Sequence, residues 1–545
     1  MHFGCRVFDI RTHTPIHSRL FTRKIPPHYA RILGMPTPRI VGLTTYRHGI
    51  CIWVCIRAHD RHARKPVRCC FSDGEIDMVA TVDTIAHAPP QLKRGALNLF
   101  ETLGQSIANI APTLTPALNI TVVAGLAGVG SWISYLLATI GCIFVGAAIS
   151  QLAKRHPEAG SYFVYVGRNF GPVAGALTGW AMILAYTTTA VAVIMGFPLF
   201  LNNILGVFGM TLSFPWQVVF AIAFLGLVAY AAYRDIQLSS RVGLVLECLS
   251  IGIIIVITAV VVAKHGTVID PVQLNISKIP FGGVMSAMAF AVFSWVGFES
   301  SATLAKESND PQKNIPISVV GSAAIAGIFF VIMSYLMVMG MDDKAAAIGS
   351  SSSPFADMTN KAGLPWAAAI VYFAGSISAF ACALACLNAS SRMLYSMGRF
   401  QFLHGSMGLV HKVHKTPHVA VLTSALITLL IILALLPQGM LGGFGLAGTI
   451  ATYGFVVVYF AVSLASPVDL YRAGVLKPQH VAYGVIGAAM MGFVIYSSVF
   501  PYPAAPFNML PPIFAIYLAV GLVWFLVLKF KSPQVLASIA NDMEG

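Results

Sequence analysis

Two carboxylates are the first residues of this 545-residue chain that point to chemistry. Glu247 and Glu299 each lie deep inside a long apolar run, where an ionisable group is costly and marks a cavity, a pathway or a proton relay. The plainer alternative for each is a protonated carboxyl hydrogen-bonded to a neighbouring helix. Glu299 has the more unusual surroundings. In Phe293-Ser294-Trp295-Val296-Gly297-Phe298-Glu299-Ser300-Ser301, a glycine, three hydroxyls and a carboxylate interrupt an apolar helix. A second interruption lies earlier, at Ser106-Ile107-Ala108-Asn109-Ile110-Ala111-Pro112-Thr113-Leu114-Thr115-Pro116. There Pro112 removes a backbone donor and crowds the carbonyl four residues before it. Such segments survive at membrane depth only where they line a cavity or pack inside protein. Either alone reads equally well as a proline kink or a packing glycine. Together, at equivalent places in two halves of the chain, they point to a site between two broken helices.

Other motifs carry less. Tyr186-Thr187-Thr188-Thr189 either lines a pocket or bonds back to its own helix. His411, His414 and His418 sit beside Lys412 and Lys415, which repel a cation, so the cluster reads as a solvated loop. Gly442-Gly443-Phe444-Gly445 is too short and too apolar in context for a nucleotide loop. Cys142, Cys248, Cys382 and Cys386 read as small packing residues. There is no convincing nucleophile–base set, Walker loop or haem motif. The expectation is therefore no metal, no cofactor and no enzyme.

The elements that position these residues follow from composition. Hydrophobic residues make up 57% of the chain and charged residues 10%, with a mean hydropathy of +0.77. A soluble globular chain carries about 25% charged residues. This composition excludes a soluble fold and favours membrane-spanning helices. Apolar runs of about 20 residues, the length that crosses a bilayer, predict twelve spans. They cover 96–118, 121–150, 172–202, 214–232, 241–263, 283–306, 317–340, 365–391, 418–437, 442–465, 480–499 and 510–530. A short connector near Asn119 is expected to divide the first two. No Lys or Arg falls in the middle of a span. Of the 21 Lys/Arg after Met78, 17 fall on one side, and only Lys264, Lys278, Lys344 and Lys361 on the other. Basic loops stay cytoplasmic, which puts both termini inside. The net charge of +14 is thus a matter of topology and of the first 77 residues rather than a nucleic-acid footprint.

Residues 1–77 are a different text. They hold 13 of 34 Lys/Arg, 5 of 20 Asp/Glu, 7 of 15 His and 5 of 9 Cys, with no sustained helical or strand period. A disordered basic arm at acidic lipid is one reading. A metal module using Cys51, Cys55, Cys69, Cys70, His59 and His62 is another, but the spacing lacks paired C-x2-C motifs. The favoured reading is an irregular extension upstream of a true start at Met78. A cytoplasmic tail (78–95), a transporter core (96–465), two peripheral helices (466–530) and a second cytoplasmic tail (531–545) would follow.

From about Leu92 to Lys531 the chain resembles bacterial amino-acid permeases of the amino acid–polyamine–organocation superfamily. Three segments carry the likeness. Leu152-Ala153-Lys154-Arg155-His156-Pro157-Glu158-Ala159-Gly160-Ser161-Tyr162-Phe163-Val164-Tyr165-Val166, then Gly171-Pro172, resembles the segment between helices two and three. Trp295–Glu299, continued by Ala305-Lys306-Glu307, Asn309-Asp310-Pro311 and Ile315-Pro316, resembles helix six and its following loop. Asn388-Ala389-Ser390-Ser391-Arg392-Met393-Leu394-Tyr395-Ser396-Met397-Gly398-Arg399 resembles the end of helix eight. The resemblance implies an all-α polytopic membrane protein with 12 transmembrane helices. Ten form a five-plus-five inverted-repeat core with broken helices 1 and 6, and two are peripheral.

It also implies a secondary active transporter of amino acids that works by alternating access in the inner (cytoplasmic) membrane. Freed N–H groups at a half-helix start favour an anion, and freed carbonyls at a half-helix end favour a cation. A zwitterion offers one of each. The implied substrate site comprises Asn109, Ile110, Ala111, Thr113, Tyr186, Phe293, Ser294, Trp295 and Gly297. Phe293 would lie over the substrate. Pro112 has no N–H, so Thr113 and neighbouring amides would have to hold the carboxylate. Glu299 and Glu247 are the candidates for gating or proton coupling. Span five has no lysine, and Ala379–Leu387 has no hydroxyl to help hold sodium, so protons are favoured over sodium. An exchanger and an amine or polyamine transporter stay open, as does, more remotely, a membrane sensor on the same fold. The expected partners are substrate, protons and the bilayer. Neither side-chain specificity nor oligomeric state is legible.

Overall fold

The computed structural model describes residues 92–531 apart from 235, 352, 501, 502 and 504, together with the backbone of five short strands between residues 7 and 70. The expected start at Met78 and the tail from 532 onward lie outside the described residues. The chain divides into two units, Met1–Ala88 and Pro89–Gly545.

In the first unit, β1 (Val7–Phe8) pairs with β2 (Pro15–Ile16), and β3 (Ile40–Tyr46), β4 (Gly49–Val54) and β5 (Val67–Cys70) form an antiparallel sheet in that order. These short pairings lie within the stretch expected to be an irregular extension. β3 and β4 are rich in the β-branched and aromatic residues that suit a pleated surface. Their register runs from Ile40↔Val54 to Tyr46↔Gly49.

The second unit is built of helices. α1 (Leu99–Ile110) and α2 (Leu114–Ala127) are two halves of one broken helix. α3 (Ser131–Arg155), the short α4 (Tyr162–Phe170), α5 (Pro172–Val207), α6 (Phe214–Arg234) and α7 (Ile236–His265) follow. The second broken helix consists of α8 (Phe281–Ser286), α9 (Met288–Phe293) and, after an irregular turn, a 3-10 segment at Ser300–Leu304. Then come α10 (Pro311–Gly340), α11 (Ala367–Arg399), α12 (His418–Leu435), α13 (Gly439–Arg472), α14 (Pro478–Ser497) and α15 (Leu510–Lys531). Among the described residues, nine helical stretches are long and apolar enough to cross a membrane. The second broken helix is not among them, and the first contributes only its later part, from Leu118, to a stretch that continues through α3.

One expected boundary is wrong. No connector falls at Asn119: α2 runs through it to Ala127, and the bend comes at Gly128–Gly130, where Gly128 has φ 60°. Asn119 is polar because it bonds inward, its side-chain amide donating to Ser294 Oγ at 3.4 Å. α11 continues past the apolar run 365–391 to Arg399, where the resemblance places the end of helix eight, and carries Arg392, fully buried, in its final turns.

α5 packs against both α11 and α13, α3 against α10, and α1 against α7 and α10. At the α5–α13 crossing a Cβ on Gly454 would stand 2.9 Å from that of Ala185. Large apolar side chains such as Val520, Val523 and Trp524 on α15 face outward. The interior holds Trp295, Arg392 and several tyrosines. Polar groups inside and bare hydrocarbon outside is the arrangement a lipid solvent demands.

Candidate functional site between two helix breaks

The first break is set from both ends. α1 opens with a capping box: Asn98 accepts from the Glu101 N–H at 3.0 Å, and the Glu101 carboxylate accepts from the Asn98 N–H at 2.8 Å. The same carboxylate pairs with Arg241 of α7. α1 stops at Ile110 because Ala111 takes a left-handed conformation (φ 51°) and Pro112 cannot donate. α2 then restarts at Leu114. The second break runs from Ser294 to Glu299, with Gly297 at φ 91°.

The two breaks face each other. A Cβ on Gly297 would stand 2.5 Å from Cγ of Asn109, so both the backbone angle and the space require glycine here. Ser300 Oγ donates to the Gln105 carbonyl at 3.3 Å, and the Ser301 N–H donates to Ser106 Oγ at 3.2 Å. Asn109, Ile110, Ala111, Thr113, Ser294 and Glu299 are all buried. The site is closed to solvent.

Glu299 is held on every side. The Tyr186 hydroxyl of α5 donates to Oε1 at 2.8 Å, and the Tyr459 hydroxyl of α13 donates to Oε2. Tyr459 also accepts from the Gly297 N–H at 3.2 Å, and Tyr162 of α4 donates to the Glu299 carbonyl at 2.6 Å. Three helices outside the break thus fix one residue within it.

Glu247 on α7 is held less fully. Its Oε1 accepts from Ser378 of α11 at 3.0 Å, while Oε2 has no hydrogen-bond partner. Thr113, in the first break, donates to Ser250 Oγ at 3.2 Å, and Ser250 donates to the Glu247 carbonyl at 3.0 Å. Through Ser250 the first break is joined to the turn of α7 that carries Glu247, while Glu299 stands in the second break itself. Asn109 has a matching vacancy: its carbonyl and side-chain oxygen accept from Cys382 and Cys386, but Nδ2 has no partner.

The remaining expected residues separate. Ser294 joins the site, bonded to Asn119 and, at 3.2 Å, to Tyr135. Phe293 is partly exposed, and its ring fills the space over Gly448 of α13. Trp295 turns away: its indole donates to the Ala323 carbonyl at 3.1 Å, and its ring packs between Tyr135 and Phe330. Thr187, Thr188 and Thr189 bond back to the carbonyls of Ile183, Leu184 and Ala185, so only Tyr186 of that run reaches the site. His411, His414 and His418 gather around Tyr233, and no metal-holding group of three or more such residues occurs among the described residues.

Several contributors were not singled out from the sequence. Tyr459 and Tyr162 are the main ones. Another is the fully buried pair of Arg392 and Glu307, bonded through Nε at 2.8 Å and a terminal nitrogen at 3.0 Å. A third is Asp469, which accepts from Arg155 at 2.6 Å and contacts His156 at 2.9 Å. Arg392, Glu307, Arg155, His156 and Tyr162 all stand in segments that carry the family likeness.

Long apolar helices enclosing a closed polar site at two facing breaks make this a multi-pass membrane protein with the site inside the helix bundle. Residues 102–533 match the family described as amino acid permease, and the chain belongs to that family. It is 26% identical over 363 residues to the branched-chain amino acid permease BcaP of Bacillus subtilis (strain 168), covering 64% of this chain and 76% of that one. It is 23% identical over 407 residues to the glutamate/serine transporter AimA of the same organism, covering 69% and 71%. A methylthioribose transporter, again from Bacillus subtilis (strain 168), is 24% identical over 315 residues, covering 54% and 66%.

Proposed function

We propose that this permease moves amino acids across the cytoplasmic membrane as a secondary active transporter, by alternating access around the two breaks. The observation that carries the reading is the close contact of Asn109 with Gly297, which brings the two interrupted backbones together inside the protein. Exposed amides and carbonyls of half-helices are a ready-made pair of sites for a carboxylate and an ammonium. On this reading the chain has twelve spans with both termini cytoplasmic. The first ten form a five-plus-five inverted repeat, and α14 and α15 are peripheral. Relatives named for branched-chain amino acids and for glutamate and serine support an amino-acid cargo without choosing one.

Protons are the proposed coupling ion. Glu299, and secondarily Glu247, supplies a buried carboxyl that gains or loses a proton as the bundle rocks. A polyamine cargo would call for several free inward acids. Among the described residues the other buried acids are engaged: Glu101 by Arg241, Glu307 by Arg392, Asp469 by Arg155, and Asp270 by Gln273. The test is uptake of a panel of labelled amino acids into proteoliposomes, with and without a proton or sodium gradient. We expect accumulation of at least one amino acid driven by an inward proton gradient. Absence of uptake and exchange for every amino acid and amine would overturn the reading.

A further inference from the structure

Cys382 and Cys386 lie four residues apart on α11, so their side chains share one face one turn apart. Both are buried, and both point at the same residue of the first break. Cys382 donates to the Asn109 carbonyl at 3.2 Å and Cys386 to its Oδ1 at 2.8 Å. The other two cysteines of the helical unit differ: Cys142 lies on α3 and Cys248 is exposed on α7. Two converging sulfurs beside an amide oxygen suit a soft metal or metalloid centre and little else.

We propose that Cys382 and Cys386 form a dithiol site that captures a thiophilic centre of the Hg2+ or trivalent-arsenic class, and that capture arrests the permease. Each thiol gives up its proton as a sulfur–metal bond forms. With an organoarsenic oxide, two S–As bonds form and the As=O bond breaks. Its oxygen leaves as water with the two thiol protons, and no oxidation state changes. Bridging draws both sulfurs off Asn109, which is wedged against Gly297, and so disturbs the contact between the two breaks. The reagent enters when the bundle opens the site; this step and the arrest rest on the alternating-access reading, whereas capture itself is measured separately.

Full-length protein is treated with phenylarsine oxide, and bound arsenicals are counted by intact mass. Counting differences between variants handles the five cysteines of residues 1–77, where Cys69 and Cys70 are adjacent. We expect Cys382→Ser, Cys386→Ser and the double variant each to bind one arsenical fewer than the wild type. If the serine variants do not fold, Cys382→Ala/Cys386→Ala gives the same count. Wild-type uptake should fall about tenfold on treatment and return with a dithiol but not with a monothiol, the behaviour of a chelated pair. An unchanged count overturns the proposal, as does uptake equally sensitive in the double variant. Mass reports capture without transport, so a protein that carries no amino acid would defeat the functional reading alone.

Discussion

The two helix breaks solve the same problem differently. The break at Ser294–Glu299 is finished: both oxygens of Glu299 accept tyrosine hydroxyls, its carbonyl is taken by Tyr162, and the Gly297 N–H is taken by Tyr459. The break at Ala111–Thr113 is open: Oε2 of Glu247 and Nδ2 of Asn109 are buried without partners. A buried polar group left unpaired costs about 1–3 kcal/mol, so each of these atoms gains by finding a partner. On the proposed function, the contrast gives the completed break to the moving machinery and the open break to the cargo, and the two glutamates can be tested against that division.

The strongest blow to this arrangement should come from Gly297, where the breaks touch. Gly297→Ala introduces a Cβ into the Asn109 side chain and holds an L-residue at φ 91°. Overpacking of a tight core costs about 1–3 kcal/mol, and the backbone angle adds to it. We expect a lower melting temperature and loss of all uptake and exchange. Wild-type exchange in this variant would mean that the breaks need not meet as they do here.

Glu299→Gln should separate coupling from binding. The amide keeps the size of the carboxyl and can still accept from one tyrosine, but it cannot carry a proton. Uphill uptake in a proton gradient should fall about tenfold or more, the scale expected when a proton-transfer group is removed. Counterflow of substrate down its own gradient should survive. Unchanged uphill uptake would remove Glu299 from coupling and leave its tyrosine cage a structural feature.

The sequence shows these breaks but not their difference. Proline, glycine and hydroxyls stand out in an apolar run whatever surrounds them, so 106–116 and 293–301 were legible. Satisfaction is a tertiary property. Tyr459 is 160 residues from Glu299, and Arg392 is 85 from Glu307, and no local pattern joins them. Asn119 shows the limit from the other side: a polar residue in a helix looks like a connector until Ser294 is seen opposite it. β3 and β4 carry β-branched and aromatic residues without the strict apolar–polar alternation that marks a half-buried strand.

Glu247→Gln is the smaller and more discriminating test. The substitution keeps the acceptor that Ser378 uses and replaces the unpartnered oxygen with an NH2 group. If the open break meets the cargo, the lost acceptor is an interaction made with bound substrate. Losing an interaction made equally in the ground and transition states raises KM and leaves the maximal rate alone. We expect KM for the best substrate of the panel to rise several-fold, about 1 kcal/mol of binding, with uphill accumulation retained at saturating substrate. The opposite pattern, an unchanged KM with collapsed accumulation, would make Glu247 a second coupling group and erase the distinction between the breaks. Comparing the two glutamine variants under one gradient therefore decides whether the open and finished breaks have separate tasks or share one.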